Sequence, residues 1–121
     1  MLVVILDYTE KSILLYDGYY PINLAAAVCG SNFNKIQLNL LLKNCPPQEI
    51  IICFDKEYVH SGRSDGQAYF NKLMSIAKKY SQYTNISFIF DMENLLDEKD
   101  SPIDKGKEVF ERLIEKRIKT W

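Results

Sequence analysis

Three aspartates, Asp7, Asp55 and Asp91, each stand directly after an apolar, β-branched or aromatic run: Leu2 to Leu6, Ile50 to Phe54 and Ile86 to Phe90. If the runs are parallel strands of one sheet, the three carboxylates gather at the edge where open α/β sheets bind ligands. Like charges held close repel unless one is protonated or a cation lies between them, and carboxylate oxygens suit a hard divalent ion such as Mg2+. Glu57 follows two residues after Asp55 and adds a carboxylate to the same loop in the sequence Asp55-Lys56-Glu57. Aspartates also open loops and cap helices, so each one alone has an ordinary structural use.

The acidic segment DMENLLDEKDSPID, residues 91–104, reads on its own as a solvated loop with Asp104 as an N-cap. His60 is the only histidine and has no cysteine or second histidine nearby, which predicts a loop residue and no zinc site. Ser61, Gly62, Ser64 and Gly66 form a polar loop without a Walker or GxGxxG pattern, so it reads as flexible and not phosphate-cradling. Tyr16, Tyr19, Tyr20, Tyr80 and Tyr83 could stack on bases, but their apolar neighbours favour packing. Cys29, Cys45 and Cys53 are odd in number, lack CxxC spacing and read as buried thiols of a reducing compartment.

The elements that must carry these residues follow from periodicity. The three runs are continuous rather than alternating, as strands covered on both faces are, and Leu24 to Cys29 is a weaker fourth. Helical spacing links Phe33, Ile36, Leu40 and Leu41, with Ser31, Asn32 and Asn34 as cap candidates; it links Phe70, Leu73, Met74, Ala77 and Tyr80; and it links Val109, Phe110, Leu113, Ile114 and Ile118. Pro102 and Asp104 mark the start of that last helix, which carries Glu108 with Arg112 and Glu115 with Lys119 as i, i+4 pairs. Ser12 to Tyr16 is a shorter helical segment. Alternating strands and helices predict one α/β domain over residues 1–121, a doubly wound, mostly parallel four-stranded sheet flanked by helices.

The 121 residues suit one domain, and 47% hydrophobic with 26% charged residues suits a folded core. Fifteen basic against sixteen acidic side chains give a formal charge of -1, which excludes a broad basic field for nucleic acid or membrane and leaves only a local patch. No basic stretch precedes the first apolar run and none of the runs approaches the roughly 18 residues of a membrane span, so the expectation is a cytoplasmic protein with no membrane contact.

Three stretches carry a resemblance: AVCGSNFNKIQLNLLLK at residues 27–43, IIICFDKEY at 50–58 and KDSPIDKGKEVFERLIEKR at 99–117. Together with TEKSILLY at 9–16 they resemble, in order and over nearly the whole chain, the Toprim domain of bacterial and phage DnaG-type primases. The resemblance implies magnesium- or manganese-dependent nucleotidyl transfer in DNA replication. Its paired aspartates fall on Asp55 and Glu57, and its later acidic motif falls on Lys99, Asp100 and Pro102. Asp55, Glu57 and Asp100 would hold the metal, and Lys11, Lys56 and Lys99 would meet phosphate. Tyr8 stands where the family has its first glutamate, which leaves Asp7 to act beside Asp55 and Glu57 as a catalytic carboxylate. A working primase of this type resembles a chain with zinc, template-binding and helicase-binding parts besides, so DNA, RNA and nucleotides would be met through partner subunits, a helicase or primase subunit among them. Two other readings stand beside this one: an inactive Toprim-derived phage protein that binds a host replication or defence protein, and a receiver-type signalling domain. Against the receiver stand a single Asp7 where it has an acidic pair, and the lack of a predicted fifth strand with its following lysine.

Overall fold

Strands β1 (Leu2–Leu6), β2 (Leu24–Ala27), β3 (Glu49–Ile52) and β4 (Asn85–Phe88) pair in parallel, and β5 (Ile118–Lys119) joins antiparallel, in the order β2-β1-β3-β4-β5. The computed structural model describes residues 2–6, 24–27, 34–44 and 48–121, the first two segments by backbone alone. The continuous apolar runs have the expected cause, since β3 and β4 are buried on both faces. Ile50, Ile52, Ile86 and Phe88 pack against α1 (Lys35–Asn44) and α2 (Ser64–Tyr80), while Ile51, Cys53 and Ile89 pack against α3 (Lys107–Glu115). The chain is thus an α/β layer structure with helices on both faces of a mostly parallel sheet.

The helices follow from local chemistry. Asn34 caps α1 reciprocally: its Oδ1 accepts the Gln37 N–H at 2.9 Å, and the Gln37 Oε1 accepts the Asn34 N–H at 3.0 Å. Tyr69, Leu73, Ala77 and Tyr80 form the buried stripe of α2, so the expected stripe is right in Leu73, Ala77 and Tyr80 but omits Tyr69. Gly66, in the first turn of α2, lies so close to the preceding loop that a Cβ there would stand 2.6 Å from the Ser61 carbonyl oxygen.

Four expectations are corrected. Among the described side chains of α1, Leu38 is fully enclosed, whereas Ile36 is 74% and Leu40 58% exposed, so those two turn away from the core; Phe33 and the Leu41 side chain, the rest of the expected face, lie outside the described residues. The final helix begins at Lys107 and not near Pro102. Asp104 closes a turn by accepting the Ser101 N–H at 2.8 Å, and Gly106, at φ 96°, takes the N-cap place with a backbone that disfavours other residues. That helix also ends before Ile118, and the sheet has five strands where four were expected. The helix closes at Lys116, Arg117 grips Glu49 with two hydrogen bonds of 2.6 and 3.0 Å, and then Ile118 pairs with Phe88 and Lys119 with Ser87.

Because β5 is antiparallel, its end lies at the amino edge of the parallel strands, where the Thr120 hydroxyl donates to the Ile86 carbonyl at 3.0 Å. Glu49 is itself buried, and the Ser87 hydroxyl donates to its Oε2 at 2.5 Å. Among the described residues no helix is long and apolar enough to cross a membrane.

Replacing Gly66 by Ala should destabilise the fold by about 1–3 kcal/mol, because a new methyl meets backbone that cannot move alone. Urea unfolding of the variant measures it, and an unchanged midpoint would show that the loop from His60 to Ser61 yields freely.

Candidate functional site

The strand order reverses at β1, which lies between β2 and β3, so the crevice outside the carboxyl ends of β1 and β3 is where a doubly wound sheet accepts ligands. The segment leaving β3 there runs Cys53, Phe54, Asp55, Lys56, Glu57, Tyr58. Its main chain is held at three points. The Tyr69 hydroxyl donates to the Asp55 carbonyl at 2.7 Å, the Lys56 N–H donates to the Asp100 carbonyl at 2.9 Å, and the Lys99 N–H donates to the Lys56 carbonyl at 2.6 Å.

Lys56 is buried, with 3% of its surface exposed, and its ammonium is fully engaged. It reaches Asp91 Oδ2 at 3.0 Å, the Leu96 carbonyl at 2.9 Å and Asn94 Oδ1 at 3.3 Å, and it lies 4.9 Å from the centre of the Tyr58 ring. Asp91 is equally enclosed, and its carboxylate also accepts the N–H groups of Leu95 at 2.9 Å and Leu96 at 2.8 Å. Burial of two charges is tolerable only with such complete pairing. The Tyr58 hydroxyl accepts the Asp91 N–H at 2.7 Å, and burial pushes that phenol well above its ordinary range.

Asn94 serves both loops at this edge. It takes a left-handed backbone at φ 53°, and its Oδ1 accepts the Ser61 N–H at 3.1 Å while the Ser61 hydroxyl donates to the Met92 carbonyl at 3.0 Å. The loop read as flexible is therefore tied at Ser61, and Ser64 already belongs to α2. His60 is exposed, and its Nδ1 accepts the Gly62 N–H at 3.1 Å.

The expected site residues separate into three groups. Asp55, half-buried, and Glu57, exposed, lie on the segment that bonds to residues 99–100, so the two acidic motifs abut. The Asp100 carboxylate accepts the Asp97 N–H at 2.8 Å and lies 3.4 Å from the Lys105 ammonium, and Lys99 is exposed at φ 71°. Two expectations are corrected: Lys56 does not face solvent where a phosphate could meet it, and Asp91 spends its carboxylate on Lys56 and two amides, not at an open edge. Asp7, Tyr8 and Lys11 lie outside the described residues, as do Cys29, Cys45, Tyr16, Tyr19, Tyr20 and the segment from Ser12 to Tyr16. Cys53 is buried in the cluster with Ile51 and Ile89. Among the described residues, no three Asp, Glu, His or Cys side chains converge as a metal cage would need.

A cleft of about 140 Å³ opens on the other side of Asp91, floored by Phe90 and Leu113 and rimmed by Glu93, Arg112 and Lys116. Arg112 binds Glu93 through two hydrogen bonds of 2.7 Å each, in place of the helical pairing with Glu108 that spacing suggested. Those hydrogen bonds, with the charges of Arg112 and Lys116, hold the Glu93 carboxyl below the ordinary range.

No protein-family profile matches the chain. It is 33% identical, over 123 aligned positions covering 95% of its length, to the SPbeta prophage-derived uncharacterized protein YorJ of Bacillus subtilis strain 168. The chain spans about a third of that relative, 32% of its length. No solved structure matches.

The buried pair escaped sequence reasoning, although one signal was present. In Phe54-Asp55-Lys56-Glu57-Tyr58, the lysine shares an every-second-residue face with two aromatics that pack in the core.

Replacing Lys56 by Met alone should cost about 3–5 kcal/mol, because Asp91 is left buried and unpaired. Replacing Lys56 by Met together with Asp91 by Leu should recover much of the loss, and urea melts of the three proteins test both statements. For Glu93 the sign follows from its depressed pKa: its pairing stabilises above the ordinary glutamate value and is lost as pH falls through the lower folded value. An NMR titration should find Glu93 titrating below an ordinary glutamate, and Arg112→Met should return it upward.

Proposed function

We propose that the chain is a Toprim-like module for divalent-metal-dependent phosphodiester chemistry on nucleic acid, a phage primase-like activity exercised together with other parts. The observation that carries this reading is the pair of main-chain hydrogen bonds from Lys56 to residues 99 and 100, which sets the Asp55–Glu57 segment against the Asp100 segment beside the switch point of the sheet. A relative of prophage origin and about three times the length agrees with a module that serves a larger assembly.

The two carboxylates flanking Lys56 support the metal reading. Magnesium is commonly held by one or two carboxylates, with water and substrate phosphates completing its shell, and Asp55 and Glu57 supply two carboxylates at this edge. Bound there, the ion would neutralise charge on the attacking and leaving oxygens of a phosphodiester. Asp55 and Glu57 would orient it and Asp100 would contribute from the adjoining loop. Exposed Lys99 stands beside them as a cation for phosphate.

A second reading, an inactive descendant that binds a host replication or defence protein, is favoured by the engagement of Asp100 with Lys105 and the Asp97 amide. Titration with Mn2+ separates the two. The first predicts broadening of the Asp55 and Glu57 signals and a rise in melting temperature, since a ligand at 100 times its Kd stabilises by about 2.7 kcal/mol. Asp55→Asn with Glu57→Gln should abolish both effects. Melting and spectra unchanged by manganese would remove the metal reading and leave the second.

A further inference from the structure

Burial along the segment after β3 alternates with a period of two. Phe54, Lys56 and Tyr58 are enclosed, while Asp55 is half-buried and Glu57 and Val59 are exposed. Phe54 and Tyr58 join the same core cluster, and Lys56 lies against the Tyr58 ring, so all three point to one side of an extended backbone. Asp55 and Glu57 must then point to the other side together. A lysine is an unusual residue for the inward place, because its charge enters the protein only if every hydrogen-bond donor finds a partner. Here the three acceptors, Asp91 Oδ2, Asn94 Oδ1 and the Leu96 carbonyl, all come from the loop after β4.

We infer that the buried Lys56–Asp91 pair is the positioning device for the two carboxylates that flank Lys56, fixing Asp55 and Glu57 on one outward face of the loop. Three features support it. The pair links the loops after β3 and β4, whose strands are neighbours, and so fixes the height at which the first loop leaves the sheet. The main chain of Lys56 is held at both its polar groups, so the inward side chain and the register against residues 99–100 are one constraint. A slip of one residue would place Asp55 and Glu57 in the core and Lys56 outside, leaving Asp91 buried without its cation. Lys56 acts on the carboxylates through the backbone and touches no ligand itself. The inference rests on the metal reading above only in one of its two readouts.

The test compares the full chain with the paired variant Lys56→Met/Asp91→Leu, which removes both charges and keeps the inward side chains apolar, and with Asn94→Gly, which removes one acceptor and suits the backbone at φ 53°. The first readout is amide hydrogen exchange at Lys56 and Lys99, whose N–H groups lock the segment to its neighbour. Exchange at both should quicken in the paired variant and, less so, in Asn94→Gly, while the amides of β3 and β4 stay protected. The second readout is Mn2+ affinity, which should fall roughly 10- to 100-fold in the paired variant, the usual effect of losing groups that orient ligands.

Unchanged exchange at Lys56 and Lys99 in either folded variant would overturn the inference. Should the paired variant fail to fold, Asn94→Gly decides alone by the same exchange measurement. Quickened exchange together with no Mn2+ binding by the unaltered protein would overturn the metal reading and support the positioning role.

Discussion

The desolvation of one lysine organises the carboxyl edge of this sheet. A buried ammonium must find three acceptors, and Lys56 finds them in a carboxylate, a side-chain amide and a main-chain carbonyl within six residues of chain, Asp91 to Leu96. That need explains the neighbouring geometry. Asp91 is also saturated by two amides, Asn94 adopts a left-handed backbone, and Tyr58 offers its ring face to the cation and its hydroxyl to the Asp91 amide. Each of these residues would be hard to justify alone, and together they leave the described residues with no buried side-chain donor or acceptor unpaired.

The two faces of the sheet are stabilised differently. The face toward α1 and α2 is largely aromatic, with Phe70 edge-on to Phe88 and Phe90, and Tyr58 stacked on Phe90 at 5.1 Å between ring centres. The cluster toward α3 is mostly aliphatic, with Phe110 as its aromatic member, and two buried acids stand at the ends of the sheet, Asp91 near the carboxyl end of β4 and Glu49 at the amino end of β3. One acid is paired by Lys56 and the other by Arg117, so the sheet is pinned by buried charge at both its ends.

Much of the framework was legible in the sequence because strands buried on both faces announce themselves as unbroken apolar runs. Ile50 to Phe54 and Ile86 to Phe90 did so, and Leu73, Ala77 and Tyr80 showed one face of α2 directly. What failed did so for tertiary reasons. Ile36 and Leu40 have the right spacing for a core face, but spacing cannot say which of two apolar faces turns inward, and Leu38 does. Ile118 fits the helical period of α3 equally well, yet it pairs with Phe88 as a strand, next to the grip of Arg117 on Glu49, 68 residues away. At the site, charge type misled: a lysine between two acids reads as a surface cation, and its burial shows only when the alternation of Phe54 and Tyr58 around it is given more weight than its charge.

That separation of 68 residues between Glu49 and Arg117 also bears on the order of events during synthesis. A ribosome releases the β3 strand early and Arg117 only after α2, β4 and α3 have been made. Until then the Glu49 carboxylate has, among the described residues, the Ser87 hydroxyl as its partner, and enclosing it at the base of the central strand is unfavourable. The parallel sheet, slow to assemble because its pairings are distant in sequence, thus waits for an ionic partner that follows α3. Until Arg117 has emerged, the amino end of β3 carries a carboxylate without the guanidinium that pairs it in the finished fold.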